Sequence, residues 1–414
     1  MIEGPGPLSA TAEHWLGLLY VQQASTGTAA PALAPRPGEH VLDLCSAPGG
    51  KTLHMAELMR DSGCIVASEL SEPRIRGLLG NVYRLGHSNI LVTAGDGRDF
   101  PTGATFDRVL VDAPCSGEGT LRRGGGQAPN QSASFLGYVT RAQRGLLERA
   151  VQVTRPGGVI LYVTCTFAPE ENEAIVSDAL GYLPVELEWL DLPVPHARGL
   201  TEFEGTRFDP RVEGAARIYP HHLDSGGLFL ARLRRLDDGE DRSFGARVPT
   251  VFPGGELTPD EAEARLGPAL DELRTRYGAG EALDHLQWMF RGGRAWFHTL
   301  DAWPLPAWEE GGWRAISVGI RGIDFDSRGR ARPSNDLIRL FGERLTGRVV
   351  DVDDEEIRTL LSRKPVPAAE PERGPISIRH RGDVVGRGAV TVDGLKSEIP
   401  KTRAADYLRS LDPA

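Results

Sequence analysis

Only four cysteines occur in 414 residues, Cys45, Cys64, Cys115 and Cys165, and no two are spaced as CxxC. That scarcity argues against a disulfide framework or a cysteine-ligated zinc site and fits a reducing, cytoplasmic compartment. No metal is expected. No apolar run approaches the ~20 residues that cross a bilayer, so no membrane partner is expected either. Met1 to Ala12 lacks the basic-then-apolar order of a secretion signal. Positive charge is also short: the formal net charge is −10. Taken alone, this argues against a nucleic-acid partner, because phosphate binding is largely electrostatic. The acid is unevenly spread, however. Arg373 to Ala414 holds eight Lys/Arg against five Asp/Glu, so the excess lies upstream and the total does not exclude RNA.

Between Glu39 and Leu233 short apolar runs alternate with helical patterns. The runs are HVLDL (His40–Leu44), CIVASEL (Cys64–Leu70), NILVT (Asn89–Thr93), FDRVLVDA (Phe106–Ala113) and GVILYVT (Gly158–Thr164). Helices are predicted over Lys51–Asp61, Pro73–Leu85, Thr140–Thr154 and Glu170–Leu180, with Glu170 and Glu171 opening the last. The alternation predicts an α/β, doubly wound parallel sheet covered on both faces. A pair at Val185–Leu190 and Gly227–Leu233 adds antiparallel edge strands. Leu236 to Glu261, rich in Asp, Gly and Pro, reads as a linker, and a helix follows near Pro259–Tyr277. Five of the seven tryptophans (Trp288, Trp296, Trp303, Trp308, Trp313) fall in the next stretch, which reads as core. The tail from Ile376 to Val392 alternates like a small β-unit. The expected units are a catalytic domain at 1–236, a linker at 237–258, an α+β middle region at 259–365 and a β-rich module at 373–414.

VLDLCSAPGGKT places a strand, a tight turn with Pro48, Gly49 and Gly50, then a helix. Ligands of doubly wound sheets bind at the carboxyl ends of the strands. The spacing is neither GxGxxG nor GxxxxGKS, so the dinucleotide and P-loop readings fail. Glu69 ends the second strand, where a carboxylate takes a ribose's hydroxyls, and Asp96 follows the third, placed to accept from an adenine amino group. Such features suit a nucleoside cofactor with no phosphate to cradle.

Asp112, Pro114 and Cys115 end one strand and Cys165 the next. A buried structural cysteine sits mid-strand more often than at a strand's carboxyl end. If the two strands are neighbours, both thiols reach the rim that carries the cofactor loop. The residues alone do not say which thiol attacks. Cys45 contributes backbone rather than thiol, and Cys64 reads as core. His221 and His222 read as structural or RNA-facing, since no partner is spaced to make them metal ligands.

DLCSAPGGK, DAPCSGEGT and YVTCTFAPEENE, in this order, resemble the signature segments of the Sun-type RNA cytosine-5 methyltransferases, close to the RsmF-like bacterial ribosomal RNA branch. RFDPRVEGAARIYPHHLDSGGLFLARL and LKSEIPKTRAADYLR match further. The resemblance covers about Leu16 to Leu233, with a second part over the tail. It implies a Rossmann-like class I methyltransferase fold, S-adenosyl-L-methionine as cofactor, and a C-terminal PUA-like RNA-binding module. It implies that Cys165 attacks the base and Cys115 helps release the product. The implied cofactor set is Cys45, Ser46, Ala47, Pro48, Gly49, Gly50, Lys51, Glu69, Arg74, Asp96 and Asp112. Asp112 would also hold the cytosine edge, and Lys51 would lower the pKa of the attacking thiol. A basic face of Arg379, Arg381, Lys396 and Lys401 is expected on the tail. Family members usually carry an N-terminal domain ahead of the loop, where about forty residues stand here. The expected partner is ribosomal RNA, or alternatively transfer RNA, and the expected state is a monomer. Two other readings compete: a non-catalytic RNA-binding assembly factor, and a DNA methyltransferase that uses Cys115.

Overall fold

The computed structural model describes residues 7–103, 105–123, 132–237, 247–252, 257–304, 313–368 and 372–411. Most of the expected linker at 237–258, and Trp308, lie outside these residues.

Strands β1 (His40–Asp43), β2 (Cys64–Glu69), β3 (Ile90–Ala94), β4 (Phe106–Asp112) and β5 (Thr154–Thr164) stand in the order β3-β2-β1-β4-β5, all parallel. All six residues of β2 are buried, as a strand covered on both faces requires. Beyond β5 the sheet continues antiparallel through Leu228–Arg235, Ala216–Ile218 and Ala197–Arg198, with Val185–Glu188 also paired to Leu228–Arg235. Helices α1 (Ala12–Leu16), α2 (Ala29–Leu33), α3 (Gly50–Leu58), α4 (Glu72–Leu85), α5 (Ala133–Val153) and α6 (Glu173–Tyr182) follow in chain order. Apolar residues of α2, α3 and α4 share one core cluster, and those of α5 and α6 share another. The strand order reverses between β1 and β4. A crevice opens there at the carboxyl ends of the strands, flanked by Asp43 and Asp112.

Two helices begin elsewhere than predicted. α5 starts at Ala133, capped by the Ser132 hydroxyl, which accepts from Phe135 N. Glu170 and Glu171 do not open α6, which starts at Glu173. Glu171 is buried in the preceding turn, its carboxylate drawn inward to Ser116 N and Gln143 Nε2.

The remaining residues form two smaller sheets and complete the large one. Gln287–Arg291, Arg294–His298, Ile320–Phe325 and Ala331–Pro333 make one four-stranded sheet. Arg314–Val318 leaves that neighbourhood to pair antiparallel with β3. The Trp313 ring packs edge-on to Phe100 and its Nε1 donates to Asp99 O. Trp288, Trp296, Trp303 and Trp313 are all buried. Val349–Val352 pairs in parallel with Gly374–His380, ahead of Asp383–Thr391 and Gly394–Ser397. Strand pairing therefore crosses the divisions expected at 258 and 365. The N-terminus is tied in as well, since Trp15 Nε1 donates to Arg403 O and its ring lies 4.6 Å from that of Tyr407.

The expected basic face of the tail is mostly neutralised. Arg379 pairs with Asp351 at 2.6 Å, Arg381 with Asp354 at 2.6 Å and Lys396 with Asp393 at 2.5 Å. Asp351 and Asp354 arrive on the Val349–Val352 strand and at the start of helix Asp354–Leu361, a pairing that local charge counting missed. A cleft of about 710 Å³ between helix Pro259–Arg276 and this sheet gathers five arginines, Arg265, Arg276, Arg330, Arg332 and Arg387, against Glu272, Asp326 and Glu398.

Candidate active site

The loop after β1 is fixed from three sides. Ser46 N and Oγ both donate to Ser68 O at 2.9 Å. Asn81 Nδ2 donates to Pro48 O at 2.9 Å. Glu69 is buried and accepts from Ala47 N at 3.3 Å and Ser71 N at 2.9 Å, and Arg74, paired with Glu69, donates to Ala47 O. Gly49 takes φ 105°, and a Cβ there would come within 2.8 Å of Leu78. Only glycine combines that backbone with that closeness.

Asp43 and Asp112 face each other across the reversal point. Asp43 is fully buried and accepts from Thr52 Oγ1 at 2.7 Å. Burial drives its carboxyl up to about 7. Lys51 Nζ donates to Asp112 Oδ2 at 2.6 Å. Burial opposes the lysine's charge, but the Asp112 carboxylate outweighs it and holds Lys51 above its ordinary value.

β4 and β5 are neighbours in register, Asp112 opposite Val163, so the loops that leave them run side by side. Cys115 Sγ and Cys165 Sγ stand 3.3 Å apart. The two thiols are driven in opposite directions. The hydrogen bond from Cys115 lowers Cys165, against its burial and the Asp112 charge, with Lys51 adding to the drop. Cys115 is pushed well up because it donates to Cys165 and is buried. Cys165 is therefore the more acidic of the two thiols, and the thiolate is the nucleophilic form.

Carboxylates brace the two loops. Glu118, on the Cys115 loop, accepts from Phe167 N at 3.0 Å and Thr166 Oγ1 at 3.2 Å. Glu171, on the Cys165 loop, accepts from Ser116 N at 3.0 Å and Gln143 Nε2 at 2.9 Å. Ser116 Oγ and Thr166 Oγ1 lie 2.7 Å apart, and Gly119 N donates to Cys165 O at 2.8 Å.

A cleft of about 540 Å³ opens over these groups. Of the sequence-derived residues, Ser46, Ala47, Pro48, Gly50, Lys51, Arg74, Asp112 and Cys165 line it. Cys115 stands behind Cys165. Glu69 lies beneath the loop, and Cys45 lies beside it with its thiol pushed up by burial. Asp96 turns to Arg98, which holds its carboxyl low through their hydrogen bonds. Sequence reasoning missed Asp43, although it stands inside the DLCSAPGGK segment, and it missed the braces Glu118 and Glu171. It also missed Tyr20, Gln22 and Gln23, which cross the cleft from the segment before α2. The buried Gln22 Nε2 finds no partner among the described residues. No catalytic motif marks that segment in the sequence.

Residues 30–234 match the family model described as 16S rRNA methyltransferase RsmB/F. The chain is 30% identical over 413 residues to the ribosomal RNA small subunit methyltransferase F of Aeromonas salmonicida, covering 97% of this chain and 82% of that protein. It is 35% identical over 278 residues to the human 28S rRNA (cytosine(4447)-C(5))-methyltransferase, covering 64% of this chain and 34% of that protein. A methyltransferase homolog from Pyrococcus horikoshii superposes with a TM-score of 0.51 at 35% identity, over 56% of this chain and 73% of that one. The sheet order, the paired thiols and these likenesses agree, and the chain belongs to the RsmB/F family of 16S rRNA methyltransferases.

Proposed function

We propose that the protein is an S-adenosyl-L-methionine-dependent ribosomal RNA cytosine-5 methyltransferase acting on small-subunit RNA through a covalent Cys165 adduct. The observation that carries this reading is the pair of sulfurs 3.3 Å apart, unequal in acidity, with the lower-pKa thiol lining the cleft beside Lys51 and Asp112.

Carbon 5 of cytosine is a poor nucleophile until a thiolate adds to carbon 6, which makes the ring an enamine. Cys165 supplies the thiolate. Asp112 receives the cytosine's exocyclic amino group, and Lys51 adds positive charge where the ring gains electron density. After methyl transfer water takes the carbon 5 proton, the C–H electron pair re-forms the carbon 5–carbon 6 double bond, and the carbon 6–sulfur pair returns to Cys165. Cys115, 3.3 Å away, is within reach to donate to the departing thiolate. The target base must leave its stack to reach these groups, which is cheapest in a loop or bulge.

The donor set fits a sulfonium nucleoside better than a phosphate ligand. Carboxylates Asp43, Glu69 and Asp112 surround the loop, and the orphaned Gln22 amide faces the same cleft. When bound, the cofactor supplies an electrophilic methyl group. The loop backbone from Cys45 to Lys51 would hold its amino acid end, Glu69 its ribose and Asp96 its adenine, with Arg74 yielding at Glu69. RNA affinity is assigned to a PUA-like C-terminal module and to the arginine-lined cleft beside it. Transfer RNA is the alternative substrate. Methylation of purified small ribosomal subunits and of transfer RNA, read by bisulfite sequencing, separates the two. Absence of new 5-methylcytosine in both would overturn the proposal.

A further inference from the structure

Three aromatic rings lead outward from the reactive loop. Phe167 follows Cys165 by two residues and is held by its backbone, its N–H donating to Glu118 and its carbonyl accepting from Arg217 Nη1 at 3.0 Å. Its ring presses on Gly227, where a Cβ would come within 2.1 Å, and Gly227 is a wall of the reaction cleft. The Tyr219 ring stacks on Phe167, with centroids 5.6 Å apart and planes 27° from parallel. The His221 ring stacks on Tyr219 at 5.8 Å and 7°. Phe167 and Tyr219 are half-buried, and His221 is exposed. His222 sets the turn by accepting from Tyr219 N at 3.2 Å, and its ring meets His221 edge-on at 4.3 Å.

The column therefore begins behind the cleft wall and ends in a ring whose position is fixed from two sides. An enzyme that extracts one base from a strand leaves the neighbouring bases without a stacking partner. A preset flat ring beside the extraction site restores that contact without regard to base identity.

We propose that His221, backed by Tyr219 and Phe167, is a stacking platform for an unpaired base next to the target cytosine. The inference rests on the RNA-methyltransferase reading above. It gives His221 a role in binding, not in chemistry.

The test uses the full chain and a fragment of small-subunit RNA that the wild type methylates, with 2-aminopurine placed in turn at each position flanking the target. His221→Ala should raise KM for the RNA by about tenfold while kcat stays within about twofold. His221→Phe, which keeps a flat ring, should restore KM. At one flanking position wild type and His221→Phe should quench the 2-aminopurine, and His221→Ala should not. An unchanged KM in His221→Ala, or a His221→Phe variant as weak as alanine, overturns the platform while leaving the enzyme reading intact. A wild type that methylates no RNA removes the enzyme reading, and the platform with it.

Discussion

Glu118 and Glu171 each brace the loop to which the other belongs. Glu118 leaves the Cys115 loop to hold Phe167 N, and Glu171 leaves the Cys165 loop to hold Ser116 N. The separation of the sulfurs thus depends on two crossed, charge-assisted hydrogen bonds, which are stronger than neutral ones.

Replacing Glu171 should disturb this geometry more than its volume suggests. Both bonds that Glu171 accepts go to one oxygen, Oε2. In Glu171→Gln the amide oxygen can keep them, but without the charge. The amide nitrogen then takes the buried place of Oε1, which has no partner among the described residues. We expect a loss of about 1–3 kcal/mol of stability and a clear fall in kcat. Thermal unfolding and steady-state kinetics measure the two. A variant with full stability and full kcat would show the brace to be dispensable.

The two thiols should fail differently when removed. Cys165→Ala should be inactive and form no adduct with RNA. Cys115→Ala should accumulate a protein–RNA species that survives denaturing electrophoresis, and the double variant should not. Adduct in Cys165→Ala instead of Cys115→Ala would reverse the roles.

The same pair yields a pH prediction. Cys165 is lowered chiefly by the Cys115 hydrogen bond. Cys115→Ala should therefore move the alkylation of Cys165 by iodoacetamide to higher pH. A profile that does not move would locate the activation elsewhere.

Asp43 should cost the ligand-free protein stability at neutral pH. Its carboxyl is raised from 3.8 to about 7 in the folded state, so the folded form holds a proton that the unfolded form has lost. Stability from this group then falls as pH rises from about 4 to about 7, by at most about 4 kcal/mol. Asp43→Asn removes the titration, so the gap between variant and wild type should widen across that window. Denaturant unfolding at pH 4.5 and 7.5 reads it, and an equal gap at both values would refute the shift.

Glu69→Ala should weaken S-adenosyl-L-methionine binding in a folded protein, as calorimetry would report. Because Glu69 also holds Ala47 N and Ser71 N, part of the loss will come from the loop. Glu69→Gln, which keeps an acceptor, should lie between the two.

The strand ends were legible because chemistry and pattern coincided there. Apolar runs followed by the Cys45–Lys51 loop, Glu69, Asp96, Asp112 and Cys165 marked five strands and their common rim. What was hidden depended on contacts distant in sequence. Glu171 looked like a helix-opening acid because its partners, Ser116 and Gln143, lie 55 and 28 residues away. Arg379 and Arg381 looked like a basic face because Asp351 and Asp354 lie 28 and 27 residues away, on the far side of the division expected at 365. Gln22 carries no motif, and only the fold lays it over the cofactor loop.

Arg314–Val318, the strand that covers the outer edge of β3, has a consequence for synthesis. A ribosome that has passed Leu228 has delivered every residue of the reaction cleft, but not the strand that closes its sheet. Until Val318 leaves the exit tunnel, β3 presents an unpaired edge, which is a template for pairing with another chain. A catalytic fragment cut at residue 236 keeps that open edge permanently. Such a fragment should self-associate even though no residue of its active centre is missing.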